Sequence, residues 1–134
     1  MSAPSIAEVE AWLDRLFVAS EGASLRDEDR KKAAELAALL AEVGRAVARL
    51  SRKRSLTIVD AAAGKGYAGL LAAKLVLELQ GRAGRVVCIE REDARVAAAR
   101  EAAARLGTNV AIEPRAGDVG DASLWPEEPD LVLA

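Results

Sequence analysis

The sequence contains no histidine. That removes Ser-His-Asp and Cys-His catalysis and argues against a transition-metal site. It contains one cysteine, Cys88, so no internal disulfide can form, and this usage suits a reducing cytoplasm. Aromatic residues are scarce: Trp12, Phe17, Tyr67 and Trp125 are all there are. Alanine and leucine must fill the core instead, which favours helices. Neither sign of charge dominates. The net charge of −2 gives no global field drawing the chain to nucleic acid or anionic membranes. No apolar run approaches the ~20 residues that span a bilayer, and the N-terminus lacks a signal-peptide core. A cytoplasmic location with no membrane partner is therefore expected.

What is present is a chain of 134 residues, 51% of them hydrophobic, long enough to bury a core as one unit. Ser5 and Glu8 form a capping-box pattern with Pro4 just outside. From there Ile6, Val9, Leu13, Leu16 and Phe17 recur at helical spacing, and Glu21 with Gly22 closes the element. Asp27 is the expected N-cap of a second helix through Leu50, with the stripe Leu36, Leu40, Val43, Val47 and Leu50. Its end is basic, with Arg45, Arg49, Arg52, Lys53 and Arg54. These cations could meet a phosphate-bearing partner such as RNA, but complementing a helix C-terminus is the more economical reading.

Strand and helix patterns then alternate. Leu56 to Val59 reads as a strand ending on Asp60, followed by the small-residue turn from Ala61 to Gly66 and a helix from Tyr67 to Gln80, stopped by Gly81. Val86 to Glu90 is a continuous apolar run, as expected of a strand covered on both faces. Asp93 is the expected cap of an alanine-rich helix to Leu106, ended by Gly107. Val110 to Ile112 reads as a short strand with Pro114 just past its end, and Asp130 to Ala134 as the start of a fourth. The fold class is α/β: a partial Rossmann-like parallel sheet of about four strands, helices on both faces, preceded by two N-terminal helices. The expected division is 1–54 for the helical region and 55–134 for the sheet domain.

Strand, glycine turn and helix together present backbone N–H groups to a ligand. Gly64, Gly66 and Gly69 satisfy G-x-G-x-x-G, and Glu90 follows at a suitable distance. A Walker loop is excluded, because no Gly-Lys-Ser/Thr occurs at the required spacing. A dinucleotide and S-adenosylmethionine remain. Asp60, four residues ahead of Gly64, separates them. A carboxylate there opposes a pyrophosphate but favours a cationic sulfonium with an α-amino group.

With Asp60, Ala62, Gly64, Lys65 and Gly66 in view, the chain resembles the class I, Rossmann-like S-adenosylmethionine-dependent methyltransferases. Their first motif is D/E-x-G-x-G-x-G. The Gly-Lys-Gly-Tyr turn is similar to that of a methyltransferase-domain subgroup, some members of which act on RNA. The resemblance covers about residues 56–134. It implies S-adenosylmethionine as cofactor; no metal is expected, since histidine is absent. Asp60 and the loop through Ala62, Gly64, Lys65 and Gly66 would then contact the methionine moiety and adjacent sugar. Glu90 would take the ribose hydroxyls and Asp118 the adenine amino group, since carboxylates only accept hydrogen bonds and these groups donate. Ala62 departs from the motif, where glycine is usual, and its Cβ opposes a positive φ.

The same acids admit plainer duties: Asp60 as a cap, Glu90 as a solvated strand end, Asp118 as a turn former. Lys65 is expected to contribute its backbone N–H more than its amine, and Cys88 to be a small buried hydrophobe. The resemblance also implies that acceptor-orienting residues follow the fourth strand. The chain thus reads as the cofactor-binding part of a methyltransferase, truncated there and inactive alone, with no catalytic residue named and the methyl acceptor open. An uncovered fourth strand predicts a homodimer, through the exposed sheet edge or through the long N-terminal helices. The other readings are a non-catalytic helical dimerisation domain with a degenerate nucleotide fold, and an NAD-binding module.

Overall fold

A computed structural model describes residues 3–19 and 22–134. Helix α1 spans Ile6–Leu13 and widens into a π-helical turn over Asp14–Val18. Its capping box is formed: Glu8 N–H donates to Ser5 Oγ at 3.1 Å and Ser5 N–H to Glu8 Oε1 at 3.2 Å. Of the pair read as closing this element, Glu21 lies outside the described residues, and Gly22 has φ of 72°.

Helix α2 spans Asp27–Arg49. Asp27 is its first helical residue and Arg26 the N-cap, one position before the expected one. Asp29 reaches back to accept from Arg26 N–H at 2.9 Å, so the acid three residues on does the capping. The stripe Leu36, Leu40, Val43 and Val47 is buried in a core shared with α1 and the later helices, each side chain contributing about 2 kcal/mol by burial. The C-terminus of α2 is closed from afar. Arg82 is 5% exposed and donates through Nη1 to Val47 O at 2.7 Å and through Nη2 to Ser51 O at 2.6 Å.

Strands β1 (Leu56–Ala61), β2 (Gly84–Glu90), β3 (Ala111–Ala116) and β4 (Leu131–Leu133) form one parallel sheet in the order β3-β2-β1-β4. Helix α3 (Tyr67–Ala72, continued by a π-helical stretch Ala73–Glu78) joins β1 to β2, and α4 (Asp93–Leu106) joins β2 to β3. As at α2, the expected cap of α4 is displaced: Glu92 is the N-cap and Asp93 opens the helix.

Two further expectations are corrected. Pro114 lies inside β3, opposite Cys88, and not past its end. The sheet order explains this: β3 is an edge strand, whose outward N–H groups have no ladder to serve. Nor do the helices cover both faces. Successive crossovers step in one direction from β1 to β3, so α3 and α4 fall on the same side, where their core residues merge with those of α1 and α2. The other face carries Val59, Val87 and Ile89, covered by Leu124 and Trp125 from the β3–β4 connection. At the far edge, Leu133 is buried and Leu131 half-buried against the helical side, so only Val132 of β4 remains half-exposed. Asp130 anchors this strand, accepting from Thr57 N–H at 2.8 Å and pairing with Arg54 at 2.5 Å.

Among the described residues no helix is long and apolar enough to cross a membrane. The strand order reverses direction beside β1, and the crevice outside the carboxyl ends of the strands at such a point is where open parallel sheets bind ligands.

Candidate functional site

Asp60 is the penultimate residue of β1, on the sheet face that packs against α3. It is 5% exposed, and its Oδ2 accepts from Gly69 N–H at 2.8 Å. Burial pushes its carboxyl up to about 6, against the opposing pull of that hydrogen bond. The approach is close because position 69 has no side chain. A Cβ there would lie 2.9 Å from Cys88 Sγ and 3.0 Å from Asp60 Oδ2. Cys88 itself is buried, and desolvation followed by the nearby Asp60 charge drives its thiol upward, leaving a packing residue and no nucleophile.

Glu90 ends β2 and is treated oppositely. Its Oε2 accepts from Glu92 N–H at 2.8 Å and its Oε1 from Gly64 N–H at 2.9 Å, tying the glycine turn to the loop after β2. The Glu92 hydrogen bond, followed by that from Gly64 and the Arg95 charge, holds this carboxyl below its usual range. One acid at the sheet's end is thus poised near neutrality and its neighbour is firmly ionised.

Ala62 lies between them with φ of 54°, in the left-handed region that glycine would occupy freely. It borders two clefts. One, of about 240 Å³, is lined by Ala62, Glu90, Arg91, Arg95, Asp118 and Val119, among others. The second, of about 290 Å³, is lined by Ala62, Asp60, Tyr67 and, from α2, Lys32 and Glu35, among others. Asp118 is exposed and accepts from Gly120 N–H at 2.7 Å, so it is a turn former that also borders the first cleft. Of the remaining glycine-turn residues, Gly66 is the buried N-cap of α3 with φ of 86°. Lys65 is partly buried and lies outside the lining of both clefts.

A larger cleft of about 340 Å³, bordered by Pro4, Arg45, Arg52 and Gln80, lies away from these acids and carries no carboxylate. Two of the five basic residues at the end of α2 are engaged within the fold. Arg52 donates to Gln80 O at 2.9 Å, and Arg54 is held by Asp130.

A family described as Methyltransferase domain matches residues 31–134. The chain belongs to this family. No curated protein and no solved structure gives a significant match. The matched region of this methyltransferase domain starts inside α2 and takes in all four strands, and the family as a whole typically uses S-adenosylmethionine. Reading forward from the glycine turn, the sequence drew attention to the acids of β1 and β2 and missed the contribution of α2 to the Asp60 cleft. The available signal was the pair Lys32 and Glu35, three positions apart on a helix whose apolar stripe is otherwise so regular.

Proposed function

We propose that this domain holds S-adenosylmethionine across the two clefts that meet at Ala62, as the donor site of a methyltransferase. One observation carries the reading. Strand β1, beside the topological reversal, closes on the buried carboxylate of Asp60, where a pyrophosphate would require N–H donors and no anion, while the buried Glu90 at the end of β2 suits the ribose of either nucleotide. The donor set suits the group. Each carboxylate oxygen that accepts one backbone N–H keeps a further lone pair for a ligand hydroxyl or amine. Gly64, with φ of 61° and open space where a Cβ would project, lets a ligand approach the turn.

In this reading Glu90 takes the ribose hydroxyls and Asp118 the adenine amino group in the smaller cleft. Asp60 and Ala62 face the methionine end, with the turn through Gly64, Lys65 and Gly66 next to them in the chain. The cofactor supplies an electrophilic methyl group. What the chain supplies is position and field: Glu90 is fixed by two backbone N–H groups, and Asp60 offers negative charge in a nearly dry setting. The proposal covers the donor side only and assigns no residue to the methyl acceptor. It includes the self-association expected of a sheet whose β4 edge exposes Val132, read by sedimentation at tens of micromolar.

Calorimetric titration with S-adenosylmethionine, S-adenosylhomocysteine and NADH tests the cofactor. Binding of the first two without the third is expected, with loss in Glu90→Ala. Affinity for NADH alone, or for none of the three, rejects the reading.

A further inference from the structure

We infer that α2 is part of the same site, and that Lys32 and Glu35 hold the charged ends of the ligand's amino-acid group. The inference rests on the S-adenosylmethionine reading above. Both residues line the cleft of about 290 Å³ that Asp60 and Tyr67 also border. Three positions apart on one helix, they share a face, while Ala33, Leu36 and Ala37 between and beyond them are buried in the core. At the start of α2, Arg26, Asp27, Glu28, Asp29 and Arg30 pair among themselves. Lys32 and Glu35 join no ion pair among the described residues, and both border the cleft.

The charge pattern is specific. Among its side chains the cleft brings together two carboxylates, Glu35 and Asp60, and one ammonium, Lys32, with Ala134 also in the lining. The methionine end of the ligand carries the inverse set: one carboxylate against an ammonium and a sulfonium. Lys32 matches the carboxylate, and Glu35 and Asp60 match the two cations. The family match begins at residue 31, so the turn of α2 bearing both side chains lies within the shared region while α1 lies outside it.

The test titrates the full chain with S-adenosylmethionine, S-adenosylhomocysteine and 5′-methylthioadenosine, which lacks the amino-acid group. Lys32→Ala and Glu35→Gln change exposed helix positions, and far-UV circular dichroism confirms that each variant remains folded. Each should weaken the first two ligands about fivefold, as expected for one solvent-accessible charge contact. Methylthioadenosine affinity should be unchanged, and Lys32→Arg should bind as the wild type does. Lys32 also borders a recess beside Glu28 and Asp29; a purely local role there would leave every affinity unaltered. Variants that bind S-adenosylhomocysteine like the wild type, or that lose all three ligands equally, overturn this inference while the cofactor reading stands. A wild-type chain that binds none of the three overturns that reading and this inference with it.

Discussion

Replacing Asp60 by Asn should stabilise the fold at neutral pH while weakening the cofactor. The carboxyl titrates at about 6 in the folded chain against 3.8 when solvated. Below pH 4 it is protonated in both states and costs nothing. As pH rises from 4 to 6 the unfolded chain releases its proton while the folded chain retains it, and folding weakens. Above pH 6 the loss is complete and amounts to about 3 kcal/mol, from roughly two pH units at 1.36 kcal/mol each. Asn keeps an oxygen for Gly69 N–H, now 2.8 Å from Asp60 Oδ2, but adds an NH₂ in a buried place. The expected net gain for Asp60→Asn at pH 7 is therefore smaller, about 1–2 kcal/mol. Urea unfolding from pH 4 to 8, followed by tryptophan fluorescence and circular dichroism, measures it. Subtracting the variant's curve from the wild type's removes groups common to both. Glu78, Glu90 and Glu113, with lowered values, supply stability that disappears as pH falls through their folded pKa. The difference should open between pH 4 and 6. If the two curves run parallel there and the variant is the less stable at pH 7, Asp60 is an ionised cap of α3 and the burial argument fails.

Three other substitutions probe the same frame. Ala62→Gly relieves a non-glycine φ of 54° and should raise stability by about 1 kcal/mol, a gain that chemical denaturation would reveal as a higher midpoint at unchanged slope. Gly69→Ala forces a Cβ to within 2.9 Å of Cys88 Sγ and should cost about 1–3 kcal/mol; Cys88→Ala in the same chain should restore part of it, and strict additivity in the double-mutant cycle would contradict the clash. Arg82→Ala leaves Val47 O and Ser51 O without their buried donor and should lower stability by about 2–3 kcal/mol, with faster amide exchange in the last turn of α2; unchanged exchange there would show that the cap is dispensable.

The helices and the site's two strand-end acids were legible because they depend on local pattern. Ser5 with Glu8, the leucine stripe of α2, and Asp60 and Glu90 at the close of apolar runs are all set within a few residues. What escaped depends on neighbours distant in sequence. Asp27 and Asp93 were each read one position late as caps, because Asp29 and the Glu90–Glu92 contact decide those ends. Pro114 as a strand residue follows from β3 being an edge, a property of sheet order. The shared face of all four helices likewise depends on the direction of each crossover. Ala62 was visible as a departure from a glycine position, and its positive φ gives that departure a backbone cost.

The uneven covering of the sheet affects how the domain opens. Helices shield one face, while the other relies on the short Ala122–Leu124 turn and Trp125, tethered by Arg115 Nη1 to Leu124 O and Trp125 Nε1 to Val119 O, each 2.7 Å. That strip should be the least cooperative unit, exchanging its amides long before the strands beneath it do. Asp118 lies at its start and Glu90 on a strand below, so one side of the smaller cleft is held by a segment that breathes and the other by rigid scaffold. Ligand entry would then cost only a local opening, with the helical core left intact.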